Sequence, residues 1–286
     1  MSTIEIQNVS KSYGKTVALK NVTATIADGK IYGFLGRNGA GKTTLLNIVT
    51  NRIFSDLGQI LIDGEPALEN DRAQAKIFYM TEKTLYPKDT RVRDVFRLTR
   101  GFYPQFDLSY AAALAERFKL ETGKKIGGLS TGYLSIFKLV LTLASNAPVI
   151  IFDEPVLGLD ANHRDLFYRE LLDHYNTFPN TVILSTHLIE EAAGLLEDVI
   201  IIKEGEVLIT QSVEDLLKLA YTVSGSQENV DRFVTGKRVI REEVLGRFKA
   251  ATIFQQRSDA DQHELVQLGL DLTPARLQEL FISLTN

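Results

Sequence analysis

Residues 36–43 read Gly36-Arg37-Asn38-Gly39-Ala40-Gly41-Lys42-Thr43, after the apolar run Ile31-Tyr32-Gly33-Phe34-Leu35 and before Thr44-Leu45-Leu46-Asn47-Ile48-Val49. The octapeptide fits G-x-x-x-x-G-K-[ST] throughout, and it lies where that motif acquires meaning, between a short apolar strand and a helix with apolar residues at helical spacing. Glycines let successive backbone N–H groups turn toward one anion, and the helix N-terminus adds partial positive charge. In such a loop the lysine reaches the β- and γ-phosphates and the hydroxyl binds Mg²⁺. The expectation is therefore a nucleoside triphosphate held by Gly36, Asn38, Gly39, Ala40, Gly41, Lys42, Thr43 and Thr44, with Thr43 also on the metal. No Asn-Lys-x-Asp sequence occurs, so a guanine-reading GTPase is disfavoured.

A second element lies well downstream, at Val149-Ile150-Ile151-Phe152-Asp153-Glu154. A buried apolar strand ending in two adjacent carboxylates is costly unless the charge is compensated. A magnesium ion resolves the difficulty. Asp153 holds the metal through its water shell, and Glu154, one residue nearer the strand mouth, polarises the attacking water.

Around these motifs the pattern is that of an α/β protein. Strands are expected at 4–9, 17–26, 31–35, 59–62 and 77–80, helices at 91–100, 109–120 and 133–145, then strand 149–152, helix 162–175, strand 181–185, a helix from Leu188, and strands across 198–210. Strands alternating with helices imply a largely parallel sheet, with the block at about 84–147 as a helical subdomain. Residues 213–286 read as a separate small α+β unit after a nucleotide-binding domain at 1–212. Ser212 with Asp215 suggests a helix start, YTVSG, KRVIREEVL and FKAATIFQQ suggest strands, and Thr273-Pro274 suggests a final helix with proline at its first position.

Composition narrows the function. The chain of 286 residues has 32 Lys and Arg against 36 Asp and Glu, a formal charge of −4. That argues against a nucleic-acid partner, which needs clustered cations. Residues 213–286 carry 9 basic and 11 acidic side chains, so the C-terminal unit is no basic tail. There is no cysteine, which excludes disulfides, thiolate metal sites and a cysteine nucleophile. The longest stretches without charged residues, 139–152 and 174–189 at 14 and 16 residues, are too short to cross a bilayer. The N-terminus MSTIEIQNVSKSYGK has no apolar core of a signal peptide. A protein that works at a membrane is then held there by another polypeptide.

Further short motifs stand in a telling order: Leu129-Ser130-Thr131-Gly132-Tyr133 before a helix, Gly158-Leu159-Asp160 after Pro155, and Ser185-Thr186-His187 at a strand end. Over roughly residues 2–212 the chain resembles the ATP-binding-cassette family, the nucleotide-binding subunits of ABC transporters. The resemblance implies ATP and Mg²⁺ as ligands and carries several roles with it. Tyr13 matches the aromatic that stacks on adenine, and His187 the switch histidine at the γ-phosphate. Asp160 matches the aspartate of a loop that communicates across a dimer. Ser130 and Gly132 match signature residues that close over ATP bound by a partner subunit. Glu82, in IFYMTEKTLYP, falls where the family usually has glutamine. It can ligate magnesium but cannot donate a hydrogen bond. The signature is atypical too, with Thr131 for a glycine and Tyr133 for a glutamine.

The resemblance implies an ATPase that dimerises with a second nucleotide-binding subunit, identical or not, and energises a separate transmembrane permease from the cytoplasmic face of a bacterial membrane. The ending LTPARLQELFISLTN is similar to the tails of exporter ATPases. The basic residues Lys88, Arg91, Arg93, Arg97 and Arg100 fit either a solvated helix face or a docking surface for the permease. A soluble ABC-type ATPase with a non-transport or regulatory role is the alternative.

Overall fold

The computed structural model describes residues 2–286. The chain packs as two compact units. One runs to His187 and takes in Ile200–Thr210, and the other comprises Leu188–Val199 and Gln211–Asn286. The sequence-based boundary at 212/213 falls close to the second break. The structure adds residues 188–199 to the C-terminal unit, because the helix there packs against the last helix of the chain and Val213 N–H bonds Glu197 O at 2.8 Å. Contacts so distant in sequence leave no local signal.

In the first unit, β1 (Ile4–Tyr13) and β2 (Thr16–Ile26) form an antiparallel hairpin. Next come β3 (Ile31–Gly36), α1 (Lys42–Val49), β4 (Leu57–Ile62), β5 (Glu65–Pro66), α2 (Asp71–Gln74) and β6 (Ile77–Met80). Helices α3 (Val92–Phe102), α4 (Leu108–Arg117) and α5 (Thr131–Ala144) form the helical block. They are followed by β7 (Val149–Asp153), α6 (Ala161–Thr177) and β8 (Thr181–Ser185) and, after the excursion into the other unit, by β9 (Asp198–Lys203) and β10 (Glu206–Ser212). An antiparallel sheet has the order β2-β1-β4-β5, and a larger sheet has the order β10-β9-β3-β8-β7-β6.

The central strands β3, β8, β7 and β6 are parallel. β3, β7 and β8 are buried at every position, which is why they read as unbroken apolar runs and not as alternations. Leu45, Leu46, Ile48 and Val49 of α1 share one core with Ile4, Ile6, Leu19 and Val22 of the hairpin and with Phe34, Ile151 and Ile183 of the larger sheet. That core fixes the loop before α1 against both sheets.

The second unit holds α7 (Ile189–Ala192), α8 (Val213–Lys218), β11 (Tyr221–Ser226), α9 (Gln227–Phe233), β12 (Val239–Leu245), β13 (Phe248–Ile253), α10 (Asp259–Leu268), β14 (Asp271–Pro274) and α11 (Leu277–Thr285). The sheet order β12-β13-β11-β14, with all pairs antiparallel, makes β11 to β14 a βαββαβ module of the ferredoxin-like kind. Tyr221, Val223, Ala251 and Ile253 face Val230, Phe233 and Leu265 of its two helices. The expected strands are present, and Ser212 caps α8 through Asp215 N–H at 3.1 Å.

Two differences from the sequence reading have physical causes. Pro274 does not open a helix. It ends β14, opposite Tyr221, on an edge strand, where sheets tolerate proline, and the helix starts only at Leu277. Helix α9 breaks the expected run of strands and α10 follows it, each started by a serine cap. Ser226 accepts from Asn229 N–H, and Ser258 with Asp261 forms a full capping box.

Candidate functional site

Because β3, β6, β7 and β8 run parallel, their carboxyl ends lie along one edge, the place where open α/β sheets bind ligands. The register is explicit: Phe34 pairs with Ser185, Asp153 with Ser185, and Met80 with Phe152. Segments far apart in sequence therefore meet: the loop 36–41, Thr81-Glu82, Asp153-Glu154 and Thr186-His187. They border a cleft of about 470 Å³ lined by the loop from Arg37 to Thr44, Thr16, Val17, Ala18, Glu82, Asp153, Glu154, Leu157 and His187.

The loop is shaped to hold an anion. Gly41 has φ +107°, and a Cβ there would lie 2.6 Å from Ala18 O, so only glycine fits. Gly41 caps α1 without a side-chain hydrogen bond, and no acidic residue sits in the first turn. The first N–H groups of α1 and its dipole are thus left to an incoming negative charge. Ala40 O accepts from Gly205 N–H at 3.0 Å, tying the loop to the turn between β9 and β10. Lys42 is buried, and its Nζ donates to Gly36 O at 2.5 Å. Burial holds its pKa below the ordinary lysine value, and the carboxylates of Glu154 and Asp153 oppose this only in part.

The two carboxylates differ in setting. Asp153 is 3% exposed, and its Oδ2 accepts from Thr43 Oγ1 at 3.1 Å. At Glu154 the backbone turns into the left-handed region, φ 51°, and its N–H bonds Ser185 O at 2.9 Å. Its carboxylate meets His187 Nδ1 at 2.7 Å. A non-glycine residue in this conformation at the end of a buried strand is the kind of strain that collects at functional sites. Among the described residues no cluster of three or more His, Asp or Glu could hold a metal ion alone. The hydroxyl of Thr43 and the carboxylate of Asp153 are hard oxygen donors side by side, which fits Mg²⁺, an ion that takes one or two protein ligands and completes its shell with phosphates and water.

Not every residue of the sequence reading enters this cleft. Gly36, Asn38, Gly39, Ala40, Gly41, Lys42, Thr43, Thr44, Glu82, Asp153, Glu154 and His187 gather at the edge. Tyr13, 51% exposed beneath Lys11, does not line the cleft, whereas Thr16, Val17 and Ala18 of the next strand do. Ser130 and Gly132 stand apart at the start of α5, where exposed Ser130 caps the helix by accepting from Tyr133 N–H at 3.4 Å. A Cβ on Gly132 would lie 2.9 Å from Gly158 O, so the glycine permits a close approach of the two backbones. Ser135 Oγ donates to Leu157 O at 2.9 Å in the same contact. Asp160 caps α6, and hydrogen bonds from the His163 backbone and ring hold its carboxyl below the usual range. Tyr133 packs edge-on against that histidine, with ring centroids 6.3 Å apart.

Sequence reasoning missed two side chains. Tyr79 of β6 donates to Asp153 Oδ2 at 3.1 Å, and burial followed by the Asp153 charge pushes its pKa far upward. Lys138 of α5 is buried and donates to the carbonyls of Thr81 at 3.1 Å and of Glu82. Each lies in a stretch that reads as core, and a lysine inside the apolar run of α5 was the one visible sign.

A phosphate-gripping loop between a parallel strand and a helix, with a metal-competent carboxylate at the end of another strand of the same sheet, defines a P-loop nucleoside triphosphatase. The ABC transporter family model matches residues 19–157. The chain is 30% identical over 289 residues to the ABC transporter ATP-binding protein YtrB of Bacillus subtilis, covering 98% of this chain and 97% of that one. It is 33% identical over 208 residues to the Nod factor export ATP-binding protein I of Burkholderia orbicola, covering 71% and 68%. Among solved structures, a dimeric bacterial ABC transporter cassette superposes with a TM-score of 0.66 at 26% identity, over 73% of this chain and 98% of that one. A dimeric post-hydrolysis state of such a cassette bound to ADP and Pi gives the same TM-score at 25% identity, over the same shares. The chain belongs to the ABC transporter ATP-binding proteins: it is the ATP-binding, ATP-hydrolysing subunit of a transporter.

Proposed function

We propose that this ATPase powers a bacterial exporter. Two nucleotide-binding subunits associate head to tail, so that ATP on Lys42 of one is closed over by Ser130 and Gly132 of the other, and Tyr13 stacks on the adenine. Glu154 is the general base for the attacking water, and His187 orients Glu154 and contacts the γ-phosphate. Thr43, Asp153 and Glu82 face the metal, which when bound neutralises developing phosphate charge. Asp160 faces the partner across the interface. The observation that carries this reading is the 2.7 Å contact between Glu154 and His187 at the mouth of the cleft that holds Lys42 and Asp153. The exposed positions of Ser130 and Asp160, outside their own cleft, support a role toward a second copy.

Export is supported by the similarity to the Nod factor export protein and by the C-terminal ending. Among the described residues no helix is long and apolar enough to cross a membrane, in keeping with a peripheral subunit on the cytoplasmic face of a separate permease. Docking falls to the surface after Glu82, where Leu85, Leu98 and Phe102 are exposed alongside Arg93, Arg97 and Arg100. The test is Glu154→Gln. Loss of a positioned base is expected to slow ATP hydrolysis by roughly 10²–10⁴ while ATP binding persists and ATP-bound dimers accumulate on a sizing column. Wild-type turnover in this variant would remove Glu154 from the chemistry.

A further inference from the structure

Asp153 Oδ2 accepts two hydroxyl donors, Thr43 Oγ1 and Tyr79 Oη, each at 3.1 Å. The second reaches it because of the parallel register. Tyr79 pairs with Ile151, and Asp153 lies two residues further along the same strand and therefore on the same face. A tyrosine is long enough to cover the rise of roughly 7 Å between those levels; a shorter side chain at 79 would leave the carboxylate untouched. The Arg52 guanidinium lies over the Tyr79 ring, 4.8 Å from its centroid, so the face of the ring is packed as well as its hydroxyl bonded.

Coordination of a metal ion draws on a lone pair of Thr43 Oγ1, so the hydroxyl can ligate the ion and still donate its one proton to Asp153. On the reading that Thr43 and Asp153 face a divalent cation, the direction of the Thr43 hydroxyl is set by the cation as well as by Asp153. Asp153, 3% exposed, has little water to orient it and is best fixed by a donor that is not itself a ligand of the cation. We propose that Tyr79 is that donor: a positioning residue whose hydroxyl fixes the rotation of the Asp153 carboxylate and leaves its other lone pairs to the cation's shell. Outer partners of this kind commonly carry a tenfold to hundredfold effect on metal affinity, and the proposal adds Tyr79 to the machinery although it belongs to none of the motifs.

The experiment measures binding of a fluorescent ATP analogue to the full chain in EDTA and across a Mg²⁺ series. Tyr79→Phe keeps the ring over which Arg52 lies and removes only the hydroxyl. It is expected to bind the analogue in EDTA within about twofold of wild type and to need roughly tenfold more Mg²⁺ for the metal-dependent change in affinity. The same displacement is expected in the Mg²⁺ dependence of ATPase rate. Incorporating 4-aminophenylalanine at position 79 restores an N–H donor and is expected to recover most of the loss. Tyr79→Met, which fills space without donating, supplies the comparison if Tyr79→Phe does not fold. Asp153→Asn separates the two levels. Should it abolish the metal dependence while Tyr79→Phe leaves it at the wild-type value, the positioning role is overturned and the cation site stands. Should Asp153→Asn itself leave the metal dependence intact, the site reading falls, and the proposal with it.

Discussion

His174 makes the stability of the ATPase unit depend on pH in a window that few other groups share. It is 2% exposed on α6, stacked on Tyr110 with ring centroids 5.9 Å apart and close to Phe178. Its Nε2 faces the Asn180 amide at 3.4 Å, and its Nδ1 has no hydrogen-bond partner, so nothing accepts the second proton of an imidazolium. Burial alone pushes its pKa from 6.5 down to about 4. The sign follows. Above pH 6.5 the ring is neutral whether the chain is folded or not, and the full stability is present. As pH falls, the unfolded chain takes up a proton near 6.5 while the folded one refuses it until about 4. Stability is lost across that interval. The whole interval is worth roughly 3 kcal/mol, at about 1.36 kcal/mol per pH unit, and about 2 kcal/mol of it is gone by pH 5. Between pH 7.5 and pH 5 the melting temperature of wild type is expected to fall by roughly 4–8 °C more than that of His174→Phe. The carboxylates titrate alike in both proteins, so the difference isolates the ring, and calorimetry at the two pH values reads it. Equal slopes in the two proteins, or a His174 resonance titrating near 6.5 by NMR, would refute the reasoning.

Two more expectations concern the nucleotide. Lys42→Ala is expected to weaken ATP binding as well as abolish turnover, unlike Glu154→Gln, because the ammonium is lost from the phosphate cradle; unaltered affinity by calorimetry counts against the loop's assignment. Ser130→Ala is expected to spare ATP binding by the monomer and to cut ATP-driven dimerisation and hydrolysis about tenfold to a hundredfold, the worth of one hydrogen bond to a charged group. Mixed with Lys42→Ala, it is expected to regain part of the activity, since a heterodimer concentrates both lesions in one site. A structure of the ATP-trapped dimer with Ser130 far from both γ-phosphates would end that claim.

The nucleotide edge was legible because its chemistry sits where buried strands stop. Gly36 follows the apolar run 31–35, Asp153 follows 149–152 and Ser185 follows 181–184, so a change from apolar to polar in the sequence is also a position in space once the strands run parallel. Tyr79 was invisible for the converse reason, and Lys138 showed only as a lone lysine in an apolar helix. They lie inside apolar runs, and only the alignment of β6 beside β7 and of α5 under residues 81–82 turns them toward polar groups. In the C-terminal unit the strands show through Tyr221-Thr222-Val223 alternation. Pro274 misled because proline serves a helix start and a sheet edge equally well, and the choice lies with the distant strand β11. The weak apolar periodicity of α9 and α10 yields to their serine caps as the better signal.

The contact between Gly132 and Gly158 has a mechanical consequence. Between the first turn of α5 and the segment that follows Glu154 there is no room for a single methyl group, and Ser135 clasps Leu157 beside it. Two surfaces pressed that closely behave as meshed gears and not as a hinge with play. A displacement of the first turn of α5 therefore meets the backbone of Gly158 and Leu157 directly, and the segment after Ser130 and the segment after Glu154 are expected to move together.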